Sequence, residues 1–204
     1  MKKLLVPVLI GIVGLMPRLA SANVYSFDFT GEGSATPLTL TSGALSATIT
    51  GSGDPGGFQV VPSFFPGQPG YVLYTPGVFG QTDETLTITF NQAVQDFSAF
   101  FARDIDSPDG DFVLTAYADG TEVGTTSSAG TVVSTFPQGT ITFSGQLFNE
   151  ITLADDTAPN FAVASLSVDY QPGQQLSAVP EPASIGVFGT GIIAMALRRT
   201  RRKR

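Results

Sequence analysis

From Asn23 to Tyr170 apolar and polar residues alternate with a period of two, in short runs broken by Gly, Asp, Asn and Pro. That period places successive side chains on opposite faces of a half-buried strand. Tyr25, Phe27 and Phe29 alternate with Val24, Ser26 and Asp28, and a second run covers Ala44 to Thr50. The clearest is Thr85 to Phe90, where Leu86, Ile88 and Phe90 alternate with three threonines, residues well suited to strands. After a turn expected at Asn91-Gln92, Phe97 to Arg103 carries Phe97, Phe100 and Phe101 on both faces and reads as a central strand. Asp111 to Tyr117 and Glu122 to Thr126 flank Asp119-Gly120, a pair that accepts the two positive φ angles of a type I′ hairpin turn. Thr140 to Phe143 and Asn149 to Leu153 read as a further pair joined near Ser144-Gly145. The last run, Ala162 to Tyr170, puts Ala162, Ala164, Leu166, Val168 and Tyr170 on one face. No helical period interrupts the series. Roughly eight to ten short strands with frequent turns predict an all-β fold, an antiparallel β-sandwich of jelly-roll type.

The two ends break this pattern. Lys2 and Lys3 precede an apolar run from Leu4 to Met16, and Ala20-Ser21-Ala22 has the small-x-small form of a signal-peptidase site, with cleavage expected after Ala22. At the other end Pro180-Glu181-Pro182 precedes an uncharged segment from Ala183 to Leu197, and then six of the seven residues from Arg198 to Arg204 are basic. Fifteen residues are fewer than the roughly 20 a helix needs to span a bilayer, so this is a marginal transmembrane helix. Cations at both ends hold both termini in the cytoplasm and force the middle across the membrane. The expected plan is a signal helix over 1–22, an exported domain over 23–171, a Gln/Pro/Gly/Ser linker over 172–179 and a membrane-anchoring signal over 180–204.

The order of Pro180-Glu181-Pro182, short apolar helix with Gly186, Gly189 and Gly191, and terminal arginine cluster closely resembles the PEP-CTERM sorting signal of Gram-negative bacteria that export polysaccharide. The resemblance covers about one eighth of the chain. It implies that an exosortase reads Pro180, Glu181 and Pro182, cuts near them, and releases or re-anchors the upstream domain at the cell surface. The implied role is association with secreted polysaccharide in a biofilm, floc or sheath.

Charge sharpens the picture once the ends are set aside. Between Asn23 and Gln171 stand sixteen Asp and Glu residues against a single cation, Arg103. Such a domain is a poor partner for nucleic acid or any other polyanion. With no Cys in the chain, an exported fold must be held by burial and its hydrogen-bond ladder alone. The absence of His removes imidazole for acid-base work or zinc ligation, and the absence of Trp removes the largest stacking surface.

Two stretches could carry chemistry. The loop Arg103 to Asp111 holds Asp104, Asp106, Asp109 and Asp111 around Gly110, hard oxygens of the kind calcium takes, and Asp155 and Asp156 could complete the shell. The spacing is not that of an EF-hand, and the same residues also suit a solvated turn. Loosely similar sandwich modules, sharing a final run like Phe161-Ala162-Val163-x-x-Leu166-Ser167-Val168, place an acidic pair where this chain has Ala164-Ser165. The second stretch, Gly51 to Gly80, holds eight Gly, five Pro and six aromatic residues. Those rings either fold back over the sandwich or present faces to sugar rings, with Tyr71 and Tyr74 the candidates for glycan contact; a loop of that length in a compact domain also signals hidden strands. Neither a nucleophile-base set nor a phosphate loop is present, which leaves a two-carboxylate glycoside hydrolase as the one enzyme class open. The expectation is a non-enzymatic surface or matrix protein, with a calcium-stabilised adhesin-like sandwich as its alternative.

Overall fold

The structure, a computed structural model, describes residues 22–34, 36–52, 57–68, 70–75, 84–103, 110–156 and 160–176. The expected signal helix with Ala20, the C-terminal helix and Pro180, Glu181 and Pro182 lie outside the described residues. So do Asp104, Asp106 and Asp109. Among the described residues there is no helix, and hence none long and apolar enough to cross a membrane.

They form twelve strands: β1 (Asn23–Phe27), β2 (Leu38–Ser42), β3 (Leu45–Ser52), β4 (Gln59–Pro62), β5 (Tyr71–Tyr74), β6 (Thr85–Arg103), β7 (Phe112–Ala118), β8 (Thr121–Ser128), β9 (Thr131–Val133), β10 (Phe136–Phe143), β11 (Phe148–Asp155) and β12 (Phe161–Tyr170). All pairings are antiparallel and they make two sheets that share β6. One sheet runs β2-β3-β6-β11-β7-β8, using Thr85 to Phe90 of β6 and, beyond a register shift, Val94. The other runs β4-β5-β12-β6-β10-β9, using the C-terminal part of β6, with β1 beside the far end of β12.

A strand belonging to two sheets corrects the turn expected at Asn91-Gln92. Both residues lie inside β6, which bends there and passes from one layer to the other. The local signal, two exposed polar residues after an alternating run, is the same for a turn and for a crossing. Nor do Thr140–Phe143 and Asn149–Leu153 make a hairpin. They belong to β10 and β11, which lie in different sheets, and Ser144 to Leu147 carries the chain across the sandwich. The face assignment of β12 also changes. Ser165 has φ 47° and the register shifts between Ala164 and Leu166, so one extra residue flips the alternation. Phe161, Val163, Leu166, Val168 and Tyr170 therefore face the core, while Ala162 and Ala164 face outward. The Asp119-Gly120 turn stands as expected, with φ 49° and 78° joining β7 to β8.

The core between the sheets is aromatic. Phe101 of the second sheet stacks on Phe112 of the first at 4.6 Å, Phe112 meets Phe161 edge-on at 5.1 Å, and Phe148 is flanked by Phe90 and Phe143. Each of these rings is buried. Rings fill the gap between layers about 10 Å apart without polar atoms that would need partners. Packing is close enough that a Cβ on Gly124 of β8 would meet the Phe143 ring at 2.8 Å.

Outward-facing positions differ between the layers. On the first sheet Thr50, Thr87, Thr152, Thr115 and Thr125 stand directly opposite one another across five strands. The row above reads Thr39, Thr48, Thr89, Glu150 and Tyr117. Hydroxyls link sideways, Thr39 to Thr48 and Thr125 to Thr115, both at 3.2 Å. On the second sheet Thr142, Ser98 and Ser167 form a polar outward row, while the end carrying Phe100, Ala102, Ala162 and Ala164 is largely apolar and partly roofed.

Candidate functional site

The roof over the second sheet is built by the segment between β4 and β5. Phe65-Pro66-Gly67-Gln68 closes as a turn in which Gln68 N donates to Phe65 O at 3.2 Å. Gly67 has φ 80°, and proline followed by a positive-φ glycine is the residue order of a type II turn. Ser63 N donates to Gly70 O at 2.8 Å and fastens the loop at its base. These bonds hold the described part of a Gly/Pro-rich stretch against the sheet and deliver two adjacent phenylalanines with different fates.

Phe65 turns inward and packs with Val72, Ala102, Ala162 and Ala164 on the outer surface of the sheet. Phe64 stays 55% exposed. Its ring lies 4.3 Å from Phe65, 5.9 Å from Tyr74 and 6.2 Å from Phe136, the last two edge-on. Phe65 in turn meets Phe136 at 5.1 Å. Four rings from β5, β10 and one loop thus form a fixed aromatic face, beside which Asn160 and Ala102 line a crevice of about 40 Å³. The Phe65–Phe136 pair, with Phe65 buried, contributes roughly 0.5–1.5 kcal/mol beyond area burial. The small side chains of Ala102, Ala162 and Ala164 leave room for the rings to lie flat against the sheet.

Tyr74 joins this face and Tyr71 does not. Three residues apart on β5, they point to opposite sides: Val72 shares the outer cluster with Tyr74, while Leu73 faces the core on Tyr71's side. Tyr71 stays 39% exposed at the end of the strand. Phe58, from the same sequence stretch, plugs the main core. The partner that spacing could not supply is Phe136. It comes from β10, far along the chain, and only sheet order brings it beside Phe64.

Of the acidic candidates, Asp111, Asp155 and Asp156 are described, and one of them forms a buried ion pair. Arg103, at the end of β6, is fully buried and donates through Nε to Asp155 Oδ2 at 2.5 Å and through Nη2 to Asp155 Oδ1 at 3.0 Å. Its Nη1 donates to the carbonyl oxygens of Gly110 and Ala129. Both Asp155 oxygens accept from the one cation between Asn23 and Gln171, a bidentate arrangement in which guanidinium and carboxylate match. The remaining described acids close a ring of protein contacts. Asp156 Oδ1 accepts from Asp111 N at 2.7 Å, and Asp111 Oδ2 accepts from Ser127 Oγ at 2.7 Å. Among the described residues no three acidic side chains converge as a metal-holding group.

A family model for the PEP-CTERM protein-sorting motif matches residues 178–202. The chain carries a PEP-CTERM sorting signal. A PEP-CTERM protein is exported, sorted to the cell surface in Gram-negative bacteria, and processed by an exosortase. No curated protein matches this PEP-CTERM chain in sequence. Solved structures that the chain matches in part include xylanase 10B of Clostridium thermocellum, whose CBM22-1 and GH10 modules were complexed with xylohexaose. That likeness has 10% identity over 64% of this chain and a TM-score of 0.43, and it spans only 27% of the xylanase chain. The K1 cleaved adhesin domain of Lys-gingipain from Porphyromonas gingivalis matches at 10% identity over 73% of this chain and 99% of its own, with TM-score 0.43. A family 29 carbohydrate-binding module matches at 10% identity over 74% and 100%, with TM-score 0.37. At that level of likeness no ligand passes from one chain to the other.

Proposed function

We propose that this PEP-CTERM protein is a non-enzymatic component of the cell surface or extracellular matrix whose jelly-roll-like sandwich associates with secreted polysaccharide. After export and signal-peptidase cleavage, the short apolar helix holds it briefly in the inner membrane until an exosortase acts. The observation that carries the binding role is Phe64. Phe64 is left 55% exposed while Phe65, Tyr74 and Phe136 brace its ring, so half of an apolar side chain stays in water after folding. It offers an apolar face of the kind that grips a sugar ring, with its ordering cost already met before binding.

Affinity electrophoresis of the full chain through polysaccharide from the same cells tests this. Retardation by the native chain is expected, and its loss in Phe64→Ala and Phe136→Ala; a native chain that migrates freely would sink the reading. The processing role has its own readout. The mass of the mature protein is expected to fall by the length of the sorting signal only in cells that contain an exosortase.

The calcium reading of the 104–111 loop meets a competing commitment. Asp155 is taken by Arg103 and Asp156 by the Asp111 amide. A chelator is therefore expected to leave the melting midpoint unchanged, and a clear drop would move the function toward a calcium-stabilised adhesin.

A further inference from the structure

The end of the sandwich where β6 changes sheets opens into a groove of about 330 Å³ that shares no residue with the aromatic face. That volume falls in the range of small-molecule sites. The groove has a structural origin. The β6–β11 register jumps between Phe148 opposite Val94 and Glu150 opposite Thr89, so four residues of β6, Phe90 to Ala93, bulge out against the single Asn149, and both segments line the groove. Across from Asn149, Asp119 sits at φ 49°, a left-handed conformation uncommon outside glycine. The two lock each other: Asp119 N donates to Asn149 Oδ1 and Asn149 Nδ2 donates to Asp119 Oδ1, both at 2.9 Å. On the opposite wall Gln174 Nε2 donates to Gln171 Oε1 at 2.8 Å, whereas Gln174 Oε1 is buried and accepts no hydrogen bond. Phe90 and Ala93 supply an apolar floor.

The chemistry of the walls narrows the ligand. Carboxamides and one carboxylate line the groove and no cation does, which disfavours phosphates and carboxylates. Calcium takes about six to eight oxygens. Here Asn149 Oδ1 and Asn91 Oδ1 already accept from the backbone amides of Asp119 and Ser46, so too few remain. What is left is a fixed set of donors and acceptors at close spacing. Vicinal hydroxyls, each with one donor and two acceptor sites, are complementary to it.

We propose that this groove is a second, independent subsite that takes a neutral sugar residue by hydrogen bonding. Asp119 Oδ2 accepts from one hydroxyl, the second hydrogen of Asn149 Nδ2 donates to its neighbour, and Gln92 and Gln175 close over the rim. The inference does not rest on the aromatic face. The two sites lie apart and fail separately.

Calorimetric titration of the full chain with the methyl glycosides of glucose, galactose, mannose and N-acetylglucosamine tests it. At least one glycoside is expected to bind, Asn149→Asp to weaken it about tenfold through the lost donor, and Phe64→Ala to leave it unchanged. Should Asn149→Asp melt early, Gln92→Ala and Gln175→Ala at the exposed rim carry the test, each weakening binding about threefold. No binding across the panel overturns the proposal. So does binding that survives all three groove variants, binding abolished by Phe64→Ala, or a titration in which only calcium binds.

Discussion

The two outer faces of this sandwich both carry hydroxyl rows, and they part company at the end of the second sheet where an aromatic cluster covers it. On the β2-β3-β6-β11-β7-β8 sheet the outward positions are threonines in register, half exposed, linked by their own hydroxyls. On the other sheet a polar row of Thr142, Ser98 and Ser167 gives way, toward the end of β6, to alanines and rings beneath a braced loop. A threonine on an exposed strand suits its backbone and satisfies its hydroxyl locally or with water, so the first face is explained by folding alone. Nothing in folding asks for Phe64 in solvent. The inward residues of both sheets are interchangeable as apolar filling, and so the outward ones record what each face is for.

The largest expected effect breaks the link between the faces. Arg103 lies on β6 and Asp155 on β11, so their pair, with the Gly110 and Ala129 carbonyls, ties the two strand systems at one end. Arg103→Ala is expected to cost about 3–5 kcal/mol in urea unfolding, because Asp155 is left charged and buried. The double change Arg103→Met with Asp155→Leu should recover most of that loss; a double variant no better than the single would mean that the carbonyl contacts dominate.

Next comes the contrast within the aromatic face. Phe65→Ala should lose about 3 kcal/mol, as a buried ring. Phe64→Ala should lose less than about 1 kcal/mol while abolishing polysaccharide retardation. Equal stability losses would show that Phe64 belongs to the fold and not to a binding surface. In the shared core, Gly124→Val is expected to cost about 1–3 kcal/mol by pressing on Phe143. The smallest effect is on the threonine face. Thr87→Ala and Thr152→Ala should each stay within about 0.5 kcal/mol and leave polysaccharide binding intact; loss of binding there would transfer the site to the other sheet.

Much of this was legible in one dimension. Leu86, Ile88 and Phe90 declare a strand face without any partner, Asp119-Gly120 declares its turn, and the terminal sorting signal is read by linear order alone. Four strands escaped. β2 and β9 are short, and β4 and β5 lie in a stretch whose glycines and prolines mask the alternation. A pairing of four residues draws its stability from β12 beside it, and no local propensity reports that. Tyr71 and Tyr74 looked like a pair because sequence distance ignores the pleat.

The chain by itself determined the class of fold, the C-terminal sorting signal and the near-total lack of positive charge between Asn23 and Gln171, because periodicity, linear signals and composition need no third dimension. Only the tertiary structure decided that β6 serves both sheets, that a bulge at Ser165 turns Ala162 and Ala164 outward, and that Phe64 and Phe136 meet. Each of these depends on which strand lies beside which. That choice is made by the packing of the whole core, so it leaves no mark at any single position.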